Sequence, residues 1–438
     1  MKIVDLKLHV LKSPLAEPFA FSQGWVHQRS ATLVEVITDE GISGWGEAFA
    51  QGLEPPEIAA AVIQHALRPL LIGADPLDTE VLWHTCYHRT RDYGRKGSVV
   101  AGISAVDMAL WDIAGQARGV PVWKLLGGRF RDKVQPYATG FYRIQGQGEA
   151  QRLAEEALRH HDAGFSLRKV KLGFGVDDDI ACMHAIGKAI QGKPIRLMID
   201  TNHAYGRAEA LRLGRALAEF DLLWYEEPVV PEDIAGYVEM RQHLTMPIAG
   251  GENEHTLFGY QQLLAAGGVD IAQPDIGSCG GITAARHIIA LAQAMGVRVN
   301  PHVWGSAIAQ AASLQVIAGF EGGAQSASLL SFDSALERHG VFEVHGTEGS
   351  IIIPDPNMFE GELRIWRDGM FEESDAEVVP AVGSTFSRGA GVVELARAIR
   401  AGRRRRVRRI PPRCSVGGAG GEVLRNRGGD PQGAQPVV

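Results

Sequence analysis

Between residues 134 and 318 the chain alternates short apolar runs with helical patterns. The runs fall at Val134–Thr139, Leu167–Leu172, Ile195–Asp200, Leu222–Tyr225, Pro247–Ala249, Val269–Gln273 and Val297–Pro301. Strands that alternate with helices must pair in parallel, because each helix carries the chain back along the sheet. Seven such units in succession predict a (β/α)-barrel, an architecture that ordinarily has eight units in about 250 residues. The competing layout is an open doubly wound sheet. No G-x-G-x-x-G fingerprint occurs anywhere in the 438 residues, so the nucleotide-binding form of that layout loses support.

From the second strand onward, every run ends in ionisable residues. They are Lys169 and Lys171, Asp200, Glu226 with Glu227, Glu252, Asp275 and His302. Lys171, Asp200, Glu226, Glu252, Asp275 and His302 follow one another at steps of 23 to 29 residues, one βα unit each. That spacing brings them to the C-terminal mouth of the barrel, where barrel active sites lie.

Asp200, Glu226 and Glu252 are three carboxylates on three successive strands. Alone they would repel, and one or more would take up a proton. A hard divalent cation removes the conflict, and an oxygen-only donor set favours Mg²⁺ or Mn²⁺ over zinc. Lys169 and Lys171 reach the same mouth. A lysine beside a cation and a second lysine is expected to have a lowered pKa and to serve as a base. His302 next to Asp275 forms a second candidate base, oriented by the carboxylate. A Lewis acid with a base on each side can abstract a proton next to a carboxylate. Glu227 reads as a rim or supporting residue and Asn202 as a support for the metal ligands. His203, Glu254 and His255 read as solvated loop residues.

The rest of the chain supports a soluble α/β enzyme. Residues 1–125 read as an α+β unit: strand patterns at the N-terminus, Ala31–Asp39 and Ile42–Ala48, then helical patterns near 55–70, 78–90 and 99–118. In the last, Ile103, Val106, Leu110, Ile113 and Ala117 share a face, and Gly119 with Pro121 stops the helix. Apolar residues are 45% and charged residues 22%, which excludes a disordered chain. No apolar run of about 18 residues and no signal-peptide core are present. Cys86, Cys182, Cys279 and Cys414 show no C-x-x-C spacing, so a reducing cytoplasm is the expected location. The net charge is −7, although the last 38 residues carry nine arginines against Glu422 and Asp430. An acidic body with a short basic tail is not the footprint of a nucleic-acid-binding protein. The expected partner is a small carboxylate substrate, with no nucleic acid and no membrane.

The motifs Lys169-Val-Lys171, Asp200-x-Asn202, Trp224-Tyr-Glu226-Glu227-Pro228, Gly251-Glu252, Gln273-Pro-Asp275 and Pro301-His302 resemble the enolase superfamily, and within it the mandelate racemase/muconate lactonizing group. The resemblance covers residues 1 to about 318. It implies a capping domain (1–125) over a modified barrel (126–320) and a Mg²⁺ site made by Asp200, Glu226 and Glu252. It also implies Lys171 as one acid/base, His302 paired with Asp275 as the other, and Lys169 as the group that neutralises the substrate carboxylate. Homo-oligomers are common in the group. The stretches Tyr137–Gly140, Lys169–Gly175, Met198–Tyr205, Glu226–Glu232 and Pro301–Gly305 look like galactarolactone cycloisomerases and acid-sugar dehydratases. Two cap segments, Phe19–Val26 and Ala48–Glu54 with a Gly52 hinge, match the group's substrate-selecting lid. Phe21, Trp25, Asn202 and Trp304 are the candidate substrate contacts.

Beyond Phe320 the pattern departs from the group. The nearest match to an eighth strand is Leu329–Asp333, with Ser331 where the group has a Glu. Val341–Arg367 and Arg388–Arg400, in a strand-rich segment from 321 to 402, resemble the C-terminal part of Gfo/Idh/MocA oxidoreductases without their nucleotide-binding half. The tail from 403 to 438 reads as disordered. The expected arrangement is therefore a fusion near 318–327, in a barrel lacking a family-like eighth strand. Either Ser326–Asp333 substitutes for that strand or the barrel stays open and activity suffers. The leading function is a Mg²⁺-dependent acid-sugar dehydratase or sugar-lactone cycloisomerase. The alternatives are an amino-acid racemase or hydroxyproline-type dehydratase of the same group, and an inactive fusion.

Overall fold

The computed structural model describes residues 1–50, 53–131 and 133–321, and beyond them the strands at 326–330, 342–346, 349–353, 362–367 and 377–380. The chain divides into two compact units, Met1–His339 and Gly340–Val438. The Gly52 hinge, Ser331, Asp333, Arg388–Arg400 and the tail from Arg403 lie outside the described residues.

The first unit opens with an antiparallel sheet of β1 (Ile3–Phe21), β2 (Gly24–Thr38) and β3 (Ser43–Ala48), in that order. β2 starts at Gly24, earlier than the sequence pattern indicated. Phe19–Val26, expected as a lid loop, is therefore the tip of the β1–β2 hairpin: Phe19 pairs with Val26, Ala20 with Trp25 and Phe21 with Gly24. The polar Ser22-Gln23 pair makes the turn and reaches the barrel. The Ser22 hydroxyl donates to the Thr201 carbonyl at 2.8 Å, and Gln23 Nε2 donates to the Asn202 carbonyl at 2.7 Å.

The cap helices are α1 (Pro56–Val62), α2 (Arg68–Leu71), α3 (Thr79–Thr90) and α4 (Ser98–Arg118), with a π turn at Ile63–Leu67 joining the first two. Pro69 lacks an N–H, which accounts for the irregular turn before it. Gly119 ends α4 in the left-handed conformation at φ 63°. α4 is buried on almost every side, Asp107 and Ser104 included, although Ala117 is exposed. It is the one helix among the described residues long and apolar enough to cross a membrane, and 83% of that stretch is buried in the protein. β3 lies directly on it. A Cβ on Gly46 would stand 1.8 Å from the Ala105 carbonyl oxygen, so only glycine permits this approach.

After α5 (Val122–Leu125) comes the parallel sheet. Its strands are β4 (Gln135–Gly140), β5 (Leu167–Lys171), β6 (Arg196–Asp200), β7 (Tyr225–Glu226), β8 (Ile248–Gly250), β9 (Ile271–Ala272), β10 (Arg298–Val299) and β11 (Ser326–Leu330). The spatial order is β10-β9-β8-β7-β6-β5-β4-β11. All seven expected strands are found, and the pairing of the fourth is shifted to Tyr225–Glu226. The helices between them are α6 (Ala150–Asp162), α7 (Val176–Ala189), α8 (Arg207–Ala216), α9 (Ile234–His243), α10 (Thr256–Ala265) and α11 (Gly281–Ala294), with α12 (Ala307–Ala318) after β10. Inside the sheet, Tyr137, Met198, Trp224, Ala249 and Ile271 form a small apolar core below the mouth.

An eighth parallel strand is present within Ser326–Asp333, the first of the two expected alternatives, in which that stretch substitutes for the family-like strand. β11 pairs with β4 over five residues, from Ser326 opposite Gln135 to Leu330 opposite Thr139. It takes the place beside the first strand that closes a barrel, and it satisfies the β4 backbone groups that an edge would leave unpaired. The hydrogen-bonded order runs from β10 at one end to β11 at the other.

The cap and the parallel sheet are joined by buried hydrogen bonds. Trp83 Nε1 donates to the Gly280 carbonyl at 2.7 Å, and Trp111 Nε1 to Thr283 Oγ1 at 2.9 Å. Glu47, at the end of β3, is 1% exposed and accepts from Ser306 N at 2.7 Å, Ser306 Oγ at 2.6 Å and Ala309 N at 3.1 Å. These bonds cap the start of α12.

The second unit contains β12 (Phe342–Gly346), β13 (Gly349–Ile353), β14 (Glu362–Arg367) and β15 (Glu377–Pro380), an antiparallel sheet in sequence order.

Candidate active site

The strand register explains why the charged residues meet. Lys171 stands opposite Asp200, and Asp200 opposite Glu226, at the C-terminal ends of β5, β6 and β7. Glu252 follows β8 after Gly251, whose φ of 116° turns the chain inward at the strand end. Asp275 and His302 are bridged just beyond β9 and β10. Period-two alternation places Lys169 on the same face as Lys171.

All of these side chains are buried. Carboxylate oxygens of Asp200, Glu226 and Glu252 lie within 4.8 Å of one another. Lys171 Nζ donates to Asp200 Oδ2 at 2.5 Å and to Asn202 Oδ1 at 2.9 Å. Lys169 Nζ pairs with Glu226 and stands 3.2 Å from Asp200 Oδ2. Glu226 Oε2 also accepts from Trp224 Nε1 at 2.8 Å and Gln273 Nε2 at 2.7 Å. Asn202 holds the cluster from behind, with its backbone N–H on Asp200 Oδ1 at 2.9 Å and Nδ2 on Glu252 Oε1 at 3.3 Å. His302 Nδ1 lies 2.7 Å from Asp275 Oδ2, and His302 Nε2 lies 3.2 Å from Glu252 Oε2. The Trp304 backbone N–H donates to the same Asp275 oxygen at 3.3 Å.

Burial and charge pairing set the protonation tendencies. Burial works to lower both lysine pKa values, yet the facing carboxylates outweigh it and raise them. Asp200 and Glu226 set this direction because they face the ammonium groups at contact distance, whereas the lowering expected from the sequence belongs to a lysine beside a bound cation. Burial pushes Asp200 up, but Lys171 and Lys169 more than offset this and hold it below its usual range. Glu226 is raised, by burial first, with Lys169 opposing. Burial lowers His302, while Glu252 and Asp275 overcome it, so the imidazole pKa is raised.

Three carboxylates with oxygens this close suit a hard divalent cation such as Mg²⁺, and the oxygen-only donor set matches that ion's preference. Glu227 is 1% exposed and accepts from Asn253 Nδ2 at 2.8 Å, so it supports the cluster from behind.

Of the four candidate substrate contacts, Asn202 and the Trp304 backbone bond cluster carboxylates, Phe21 packs near Trp304, and Trp25 faces outward. Phe21 and Trp304 are each 5% exposed, with ring centroids 6.5 Å apart. Trp25 is 42% exposed and lines an outer cleft of about 570 Å³ with Glu17, Pro18, His27, Ile144 and Gln145. Strand alternation explains this exposure, since Val26 beside it is fully buried on the other face. Glu254 and His255 are not solvated loop residues either. Glu254 is 7% exposed and pairs with Lys96 at 2.7 Å, and burial pulls the His255 imidazole down to about 4. His203 is half-buried. Sequence reasoning passed over Glu47, Arg29 and Tyr142. The G-W-G-E stretch around Glu47 was the available signal, since its glycines mark a close approach.

Comparison with known proteins agrees with this geometry. Residues 4–127 match the mandelate racemase/muconate lactonizing enzyme N-terminal domain, and residues 152–357 match the enolase C-terminal domain-like family. The chain belongs to the enolase superfamily, in its mandelate racemase/muconate lactonizing branch. It is 42% identical over 318 residues to a D-galactarolactone cycloisomerase of Agrobacterium fabrum, covering 73% of this chain and 82% of the relative. It is 32% identical over 350 residues to an arabinonate dehydratase of Saccharolobus solfataricus, covering 79% and 91%. Among solved structures, the 3,6-anhydro-D-galactonate cycloisomerase of Zobellia galactanivorans superposes with a TM-score of 0.70 at 35% identity, over 90% of this chain and 99% of that one. A Streptomyces coelicolor racemase with bound magnesium gives 0.69 at 28% identity, over 81% and 93%. The match to the enolase C-terminal family continues past the junction expected at 318–327 and onto β12 and β13.

Proposed function

We propose that the protein is a Mg²⁺-dependent lyase or isomerase that abstracts the proton next to the carboxylate of a sugar acid or its lactone. One observation carries the reading: Lys171 on β5 and His302 beyond β10 flank three carboxylates on the strands between them, all at one end of one parallel sheet. Asp200, Glu226 and Glu252 would hold the cation. When bound, it draws off the charge that develops on the substrate carboxylate.

Lys169, with its own partners in the carboxylate cluster, would meet the substrate carboxylate. Lys171 and His302 are the two proton-transfer groups, one for each face of the substrate carbon. Asp275 fixes the His302 ring through Nδ1, so Nε2, which stands 3.2 Å from Glu252 Oε2, is the nitrogen that would exchange the proton. Removing the proton and then expelling the hydroxyl of the adjacent carbon, protonated so that it leaves as water, gives an enol that tautomerises to the 2-oxo acid, the outcome of a dehydratase. Expelling a lactone's ring carboxylate from that carbon instead, and returning a proton there, opens the ring without loss of water, the outcome of a cycloisomerase. The relatives' activities as dehydratases and cycloisomerases support both outcomes.

The test is turnover in D₂O followed by NMR over a panel of aldonates, aldarates and their lactones: the signal of the proton next to the carboxylate is lost, and deuterium uptake from solvent appears at the neighbouring carbon of the 2-oxo-3-deoxy product. Lys171→Ala and His302→Asn are each expected to lose roughly 10²–10⁴-fold in turnover while Mg²⁺-induced stabilisation remains. Full turnover in both variants overturns the reading.

A further inference from the structure

The carboxylate cluster occupies one side of the mouth, and a different set of groups faces it past His302. The Trp304 indole packs edge-on against Tyr142, with centroids 5.7 Å apart, and lies 6.3 Å from Phe19. The Arg29 guanidinium carbon stands 4.4 Å above the Trp304 ring. A cation held over an indole keeps its charge while shedding water. Burial lowers the Arg29 pKa only to about 10, so it remains cationic at neutral pH. The Tyr142 hydroxyl oxygen is buried and has no hydrogen-bond partner. Burial pushes that phenol up to about 12, against the pull of Lys171, Lys169 and Arg29, so it stays a neutral donor. A buried donor without a partner is costly, and a site of ligand contact is the ordinary reason to retain one.

We propose that Arg29 and Tyr142 form a second anion subsite that receives the distal carboxylate of a dicarboxylic sugar acid or its lactone. The inference rests on the proton-abstraction reading for placing the first carboxylate at Lys169. Lys169 and Lys171 already face Asp200 and Glu226 and serve the reacting end. Arg29 brings a further positive charge on the Trp304 side, and Tyr142 stands in the field of all three cations. Glu47 lies in the same region, bonded to Ser306 and Ala309, and its charge also acts on Arg29. A guanidinium presents a planar fork that matches a carboxylate and gains little from a neutral hydroxyl. The pair therefore selects for charge at the far end of the substrate.

Galactarate and D-galactonate test this directly, because they share hydroxyl configuration and differ only in carrying a carboxylate or a CH₂OH at the far end. Binding of each to the full chain with Mg²⁺ is measured by calorimetry, independently of turnover. The wild type is expected to bind galactarate at least about tenfold more tightly than galactonate, as one charge-assisted contact provides. That preference should fall below about threefold in Arg29→Gln, with Arg29→Lys in between. Tyr142→Phe should weaken galactarate by roughly three- to tenfold. A wild type that does not prefer galactarate, including one that binds neither acid, overturns the subsite. So does an unchanged preference in Arg29→Gln. If Arg29→Gln does not fold, unchanged galactarate affinity in Tyr142→Phe overturns it instead. Failure of deuterium uptake contradicts the proposed reaction but leaves this binding ratio to decide the subsite.

Discussion

Asp107 shows how a single residue can tie stability to pH in this protein. It lies in α4 and accepts from Thr283 Oγ1 at 2.6 Å and Thr283 N at 2.9 Å. Burial pushes its carboxyl up to about 7. Between the unfolded value near 4 and that folded value, the native state holds a proton that the unfolded chain has released. Stability from this group is therefore full below about pH 4 and is lost as pH rises towards 7, at a slope of at most about 1.4 kcal/mol per unit. The stability of the wild type minus that of Asp107→Asn should fall across this window in urea melts. A flat difference would show that Asp107 ionises normally. The residues the sequence left unread share one cause. Glu254 finds Lys96, Glu47 finds Ser306 and Arg29 finds Trp304 across 158, 259 and 275 positions of chain. No local pattern encodes such meetings. The strand-end residues were legible because each follows a short apolar run, and the sheet needs only to pair in register for them to meet.

At the scale of elements, β3 and α12 form the joint that holds the cap against the His302 segment. Glu47 closes three donors at the start of α12, and the Phe49 backbone N–H donates to the Gly277 carbonyl at 3.0 Å. Asp275 and His302 belong to the two segments held in this way. Glu47→Ala leaves buried donors unsatisfied and is expected to cost about 2–4 kcal/mol, read as a lower denaturant midpoint. Glu47→Asp should recover part of that loss, since it keeps the carboxylate on a shorter stem. A Glu47→Ala midpoint equal to wild type would show that the joint carries no strain-bearing load. The strands and helices themselves were mostly legible, because hydrophobic period and glycine placement are local signals. The hairpin tip was not: Phe19–Val26 carries aromatic residues that read as a lid, and only the cross-strand partners show it to be paired backbone. The face Trp25 presents was hidden for the same reason, since it depends on the register of β1 against β2.

At the scale of the whole molecule, the parallel sheet has a partner strand where the sequence pattern broke off. Ser326–Leu330 lacks a family-like ending, yet its backbone pairs with all but one of the β4 residues. Backbone pairing needs no particular side chain, which explains why a short stretch of small and apolar residues suffices. Limited chymotrypsin digestion should cut after Leu329 and Leu330 more slowly than after Leu424 in the tail. Equal rates would mean that β11 does not hold. The central claim is that the fold assembles Asp200, Glu226 and Glu252 into one divalent-cation site, and a thermal melt with and without millimolar Mg²⁺ tests it most directly. A cation that binds only the folded state adds about 2.7 kcal/mol at a hundredfold excess over Kd. The account predicts a cooperative melt that moves upward with Mg²⁺ in the wild type and does not move in Glu252→Gln. A wild-type melt indifferent to Mg²⁺ would contradict it.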